Sequence, residues 1–365
     1  MKQGTRTGLA HLPLHSGKAP RWLFERMTRL SREITIAIVS EFGGEEMLRR
    51  LSDPFWFQGL GCVLGWDWHS SGVTTTVCGA LKEGARGLEH ELGIYIAGGK
   101  GKTSRQTPEQ ITRHSEHISR DPAPLVYASR MTAKVDSCAI QDGYQLYHHT
   151  FLFTKSGNWA VIQQGMNDRN HYARRYHWLS EDVHDFVCEP HSAICSQGFG
   201  GTLNMVAEES GEARATVTRV AADERPENLI KELNRLKSLT LPARHSISLQ
   251  DLHPERLEKI FLSTYERKPE CFESLVGMQG VGPKTIRSLS LISELIYGVA
   301  PSFQDPARYS FAHGGKDGTP FPVNCRTYDH TISYFANALR KTKLGHTEEN
   351  RALQRLSRWL KEGQP

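Results

Sequence analysis

Acids and imidazoles cluster at a few points in the first two hundred residues, and their spacing suggests hydrolytic chemistry. Asp136, the adjacent pair His148 and His149, then His177, Glu189 and His191 supply the mixed oxygen and nitrogen donors that a divalent ion accepts. Asp136, His149, Glu189 and His191 are therefore the candidate ligands for Mg, Mn or Zn, which would activate a water for phosphodiester cleavage. Side chains alternate along a strand, so His148 and His149 cannot both face one site. A second group, Asp67-Trp68-His69-Ser70-Ser71, adds an acid, an imidazole and hydroxyls, with Asp67 and His69 as candidate catalytic residues. The Gly-x-Ser-x-Gly pattern of a serine nucleophile is absent there. An acid followed by Glu-x-Lys on the next strand, common in nucleases, is also missing; Ile162-Gln163-Gln164 stands in its place. Each histidine taken singly is equally what a surface or hydrogen-bonded core position carries.

Two glycine-rich turns carry cations. Gly98-Gly99-Lys100-Gly101-Lys102-Thr103-Ser104 follows a strand-like run and precedes a helix opening near Pro108. A nucleotide-binding P-loop would need glycine at position 96, where Ile96 stands, so a nucleoside triphosphatase is excluded. Backbone N–H groups with Lys100, Lys102 and Arg105 still suit a phosphate, although a solvated basic turn would read the same. The second turn is Gly280-Val281-Gly282-Pro283-Lys284-Thr285-Ile286-Arg287. Its glycines permit a tight turn, and proline fits the first position of the following helix. The open N–H groups of that helix, with Lys284 and Arg287, would meet a phosphate without reading bases.

The elements that must position these groups follow from periodicity. Residues 19–52 place Trp22, Leu23, Met27, Leu30, Ile34 and Ile38 near a helical repeat, and a further helix is expected over Thr75–Lys82. Between about 60 and 220, short β-type runs alternate with turns: Gly93–Ala97, Gln145–Phe153 and Trp159–Gln163. Ser156-Gly157-Asn158 joins the last two into a hairpin. Polar, acidic stretches around Glu208–Glu212 and Ala221–Glu227 suggest a linker, after which the pattern is nearly all helical. The expected fold class is α+β: a mixed N-terminal body over residues 1–222 and a helical domain over 223–365, with a helix-hairpin-helix at 272–297.

Composition sets the outer limits. The chain has 365 residues, 38% hydrophobic and 23% charged, with no run approaching the ~20 apolar residues of a membrane span. Its first residues lack the apolar core of a signal peptide, so a cytoplasmic location is expected. Seven cysteines with no Cys-x-x-Cys pair argue against a disulfide framework or a zinc ribbon. The net charge of +5 permits a polyanionic partner without requiring one.

The segment from Phe272 to Arg287 resembles the helix-hairpin-helix of DNA repair proteins, and residues 265–310 are similar to that part of the repair glycosylases. The resemblance implies a DNA partner held through Gly280, Val281, Gly282, Lys284, Thr285 and Arg287, with Lys100 and Lys102 as further contacts. In the bifunctional glycosylases a lysine follows the turn and an aspartate lies beyond the next helix, which implies Lys284 and Asp305 as catalytic residues. Lys284 would form a Schiff base with an abasic sugar, and Asp305 would activate the nucleophile. The bland alternative is that Lys284 binds phosphate and Asp305 caps a helix.

A wider set of phrases is similar to domain-of-unknown-function family 763, a prokaryotic family whose members end in a helix-hairpin-helix. These are Leu12-Pro13-Leu14-His15, Ala19-Pro20-Arg21-Trp22-Leu23, Asp67-Trp68-His69-Ser70-Ser71-Gly72, Gln163-Gln164-Gly165-Met166, and the run from Asp305 to Gly315. That resemblance brings no catalytic residues with it. The expected function is DNA processing in repair, alongside other repair proteins, by a metal-dependent nuclease. A glycosylase or abasic-site lyase and a non-catalytic DNA-binding adaptor are the alternatives.

Overall fold

The computed structural model describes residues 19–66, 71–117, 119–169, 171–196, 201–236 and 254–307. The fold is α+β. The chain begins with α1 (Arg21–Phe42), α2 (Gly44–Ser52), α3 (Pro54–Leu64), α4 (Gly72–Ala85) and the short α5 (Glu89–Leu92). Strand β1 (Ile94–Lys100) leads through a 3-10 turn, Gly101–Gln106, into α6 (Thr107–His117) and α7 (Ala123–Lys134). Next come β2 (Ile140–Gln141), β3 (Gln145–Thr154), β4 (Trp159–Asn167), β5 (Tyr172–Leu179), β6 (Ala193–Cys195) and β7 (Leu203–Asn204). The remaining described elements are α8 (Gly211–Asp223), α9 (Pro226–Leu236), α10 (Pro254–Arg267), α11 (Phe272–Gly277) and α12 (Pro283–Tyr297).

The single helix expected over 19–52 breaks at Gly43, whose φ of 87° ends α1 and turns the chain into α2. Asp53 then caps α3 by accepting from the backbone N–H of Phe55 and Trp56, with Pro54 at the first helical position. Every residue of α3 is buried, so this apolar helix is enclosed by its neighbours rather than lying on the surface. The expected hairpin forms: β3 and β4 pair with Phe153 opposite Trp159, closed by Thr154 N–H to Asn158 O at 2.9 Å.

The main sheet has the order β1-β3-β4-β5-β6, antiparallel throughout. Strand alternation gives it two dissimilar faces. Ile96, Leu152, Ala160 and Ile162 pack with α1–α4 in one core. Phe151, Phe153, Val161 and Trp178 pack on the other side with α7, α8 and α12.

That second core corrects two expectations. The stretch read as a linker contains α8, whose Ala213, Val217, Val220 and Ala221 are buried. The boundary at 222/223 marks no break in packing, because Val217 and Val220 share a core with Leu289 and Ile292 of α12. A β-bridge from Asn204 to Ser302 ties the chain beyond α12 back to the β2–β7 pair. Among the described residues no helix is long and apolar enough to cross a membrane.

Candidate functional site

A cleft of about 1,390 Å³ opens on the α1–α4 side of the sheet, between α4, the start of α1, the end of β1 and α6. Its geometry begins at Gly98. A Cβ there would lie 2.2 Å from the backbone O of His149 and 2.6 Å from Thr107 Oγ1, and φ is 86°, so only glycine fits. Lys82 of α4 locks this turn by donating to Gly98 O at 2.7 Å and Gln110 Oε1 at 2.6 Å. Gln110 Oε1 also accepts the N–H of Gly98 at 2.9 Å. Burial holds the Lys82 ammonium below its ordinary pKa, and nearby Arg86 pushes the same way against Glu83.

The loop beyond is cationic. No acid occurs from Ile94 to Pro108, while Lys100, Lys102 and Arg105 follow one another. Lys100 and Thr103 line the cleft; Lys102 and Arg105 are exposed on the same loop. Neither Lys102 nor Arg105 makes an ion pair or hydrogen bond among the described residues.

Behind the lining residues Ser71, Cys78, Tyr147 and Thr150 lies a buried polar layer that includes the Arg175 guanidinium. Thr74 donates to Gln164 Oε1, and Gln164 Nε2 donates to Ser71 O at 2.8 Å and to the Tyr147 hydroxyl. Arg175, fully buried, donates to His177 Nε2 at 2.9 Å, Gln58 Oε1 at 3.0 Å and Thr74 Oγ1 at 3.3 Å. Burial lowers its pKa to about 10, so it remains charged near neutrality. His148 shares a hydrogen bond between Nε2 and Thr150 Oγ1 at 2.9 Å, and its Nδ1 is buried without a partner. Desolvation, with help from His149 and Lys100, pushes His148 down to about 3. The Cys78 thiol, hydrogen-bonded to Thr150, is pushed up to about 12 by burial. Near pH 7 neither Cys78 nor His148 carries a charge. Of this polar layer the cleft itself is lined by Ser71, Tyr147 and Thr150, with Lys100 at its edge.

The opposite face of the sheet holds the other acid–imidazole group. Asp136 lies in a π-helical turn, Val135–Ala139, that ends α7. Its carboxylate accepts from Gln163 Nε2 at 2.6 Å, Trp178 Nε1 at 3.0 Å and His191 Nε2 at 2.5 Å. Indole nitrogen can only donate, which makes Oδ2 the acceptor and turns the oxygen of Gln163 towards His149. Gln163 Oε1 then takes the Nδ1 proton of His149 at 2.9 Å, leaving His149 Nε2 to accept from Ser129 Oγ at 2.9 Å. Burial pushes Asp136 above its ordinary range against the pull of His191 and Trp178, and pushes His149 down to about 4.

The four expected metal ligands do not converge. Gln163 stands between His149 and Asp136, and Asp136 meets only His191. Glu189 is exposed, at a left-handed φ of 46°. Among the described residues no three of His, Cys, Asp and Glu come together as a metal site. The interposed amide of Gln163 explains the separation: it uses its oxygen on His149 and its nitrogen on Asp136, and both residues are buried core hydrogen-bonding groups. Asp67 and His69 lie outside the described residues; their neighbours Trp66 and Ser71 line the cleft.

The second glycine turn forms a helix–turn–helix from α11 and α12. Gly280 takes a φ of 90°, Gly282 is the extended N-cap, and Pro283 and Lys284 are exposed. Three expected contacts are corrected. Val281 is 2% exposed and belongs to the core. Thr285 is buried, and its hydroxyl accepts the Gly282 N–H at 3.5 Å. Arg287 is buried, donates to Gln141 Oε1 at 2.7 Å and is lowered to about 10 by desolvation. Behind the turn, Lys134 donates to the carbonyls of Met278 and Val281.

Asp305 is also corrected as an open catalytic acid. Its side chain is 3% exposed, with Oδ2 on Arg174 at 2.6 Å and Oδ1 accepting from Ala307 N–H. Arg174 reaches Asp142 at 2.8 Å as well, so Asp305 completes a buried ion-paired group against β5.

Sequence reasoning missed Lys82, Arg21, Arg113 and Tyr147, which line the cleft. The basic turn from Gly98 to Ser104 pointed to the place, but Lys82 is 16 residues from the carbonyl it holds. No curated protein and no solved structure matches the chain. A family model described as protein of unknown function (DUF763) matches residues 8–323, and the chain belongs to that family.

Proposed function

We propose that the chain is a DNA-binding protein of DNA processing that grips the phosphate backbone at the loop Gly98–Arg105 and the cleft beside it. The observation that carries this reading is the row Lys100, Lys102 and Arg105, mounted on a turn locked by Lys82, with Lys102 and Arg105 lacking counter-charges among the described residues. Fixed cations that release counterions on meeting phosphates give sequence-independent, salt-sensitive affinity. Lys284, exposed just after the Gly280–Gly282 turn, provides a second, smaller contact. The metal ligand set has no part in this reading, since its members do not meet.

The test is the salt dependence of DNA affinity by fluorescence anisotropy. Replacing two phosphate-contacting cations, Lys102→Glu and Arg105→Glu, should flatten the slope of log K against log salt by about 2 and weaken binding more than tenfold at low salt. Lys284→Glu should have a smaller effect. An affinity indifferent to salt and to the double substitution removes the proposal.

A further inference from the structure

We infer that the cleft takes an unpaired stretch of DNA, with bases against recessed aromatic rings and backbone phosphates along the cationic rim; this rests on the proposed DNA-binding role. Phe24 of α1, Trp66 after α3 and Tyr147 of β3 are partly buried and line the cleft. Lys82 and Lys100 line it beside them, with Arg21, paired with Glu25 at 2.8 Å, and Arg113, paired with Glu109 at 2.9 Å, at its edges. The Lys100 ammonium lies 5.8 Å from the centre of the Tyr147 ring, close enough for one nucleotide to meet both with its phosphate and its base. Just outside, Trp22 is 59% exposed with the Arg26 guanidinium 5.6 Å over its ring.

Interleaved rings and cations are the means by which a protein holds single strands, because every base has a face to stack and every nucleotide a charge. In a duplex those faces are already stacked on neighbouring base pairs. A duplex would reach the rim cations but not the recessed rings. The volume, about 1,390 Å³, exceeds the roughly 300–1,000 Å³ of small-molecule sites and suits a short run of nucleotides. The lining acids are Glu83, paired with Arg86 at 2.8 Å, and Glu89.

Three probes of one length separate the possibilities by anisotropy with the full chain: a DNA single strand, the same strand in a duplex, and a strand of abasic residues. The single strand should bind at least tenfold tighter than either of the others. Phe24→Leu and Tyr147→Leu, which keep an apolar side chain in place, should bring the single strand down to the level of the abasic strand. Their affinity for the abasic strand should stay unchanged, with thermal melting confirming that both variants fold. Equal binding of all three probes, or substitutions that weaken them equally, overturns the inference while leaving the phosphate grip intact. Failure to bind any probe overturns both.

Discussion

His149 shows what burial does to a titratable group when its neighbours are neutral. It lies between Ser129 and Gln163, and the fold holds it uncharged down to about pH 4. His148 stays uncharged to about 3, and His177 is held well below its ordinary range by burial and Arg175. In the unfolded chain each returns to about 6.5. A depressed folded pKa means stability present above pH 6.5 and lost as pH falls towards 4, by about 1.4 kcal/mol per pH unit for each group. Thermal melting between pH 7 and 4.5 should therefore show steep destabilisation, and His149→Gln should make the decline shallower by about one proton. An unchanged slope would show that His149 is charged in the folded chain. The same residue shows why a histidine count is a poor guide to chemistry. Its type is visible in sequence, whereas its neutrality comes from desolvation by residues on other strands.

At the level of elements, the unit that matters is β1, its glycine turn and α6. The strand and the following helix are legible locally, as is the basic loop between them. The close approach is not, because Gly98 meets the backbone of His149 on β3. Gly98→Ala places a methyl against that carbonyl at a positive φ and should cost roughly 2–4 kcal/mol, measured by denaturant unfolding. It should weaken DNA binding as well, since the carbonyl held by Lys82 moves with the turn. A fully stable variant would mean that the turn relaxes and the cations are not held by it. The α11–α12 turn makes the complementary point. Its glycines, proline and lysine predict two helices joined by a tight hairpin turn, but the pattern does not say which side faces water. Packing against Lys134 and Gln141 buries Val281 and Arg287, leaving Lys284 as the exposed cation of the expected set.

For the whole molecule, the helical region after residue 222 completes the core of the sheet. Ile286, Leu289 and Ile292 of α12 lie in the same cluster as Phe151 and Trp178. Truncating Ile286, which is 0% exposed, to alanine should cost about 2–5 kcal/mol in a single cooperative transition of the whole protein. A fragment ending at residue 222 should lack a sharp thermal transition, because the partners of Val217 and Val220 are gone. A fragment that unfolds cooperatively on its own would restore the two-domain division.

The sequence alone determined what depends on neighbours along the chain: the α+β class, the β3–β4 hairpin, the helix start at Pro283, and the basic loop from Lys100 to Arg105. Tertiary structure decided what depends on partners far apart in sequence. It buried His148 and His149 so that both stay neutral, satisfied Asp136 with Gln163, Trp178 and His191, and turned Asp305 onto Arg174. It also assembled the cleft from α1, α4, β1, β3 and α6. The physical reason is that burial and hydrogen-bond partners set whether a charged or titratable side chain is open to a ligand. Those partners come from the packed fold, and residue type and spacing do not identify them.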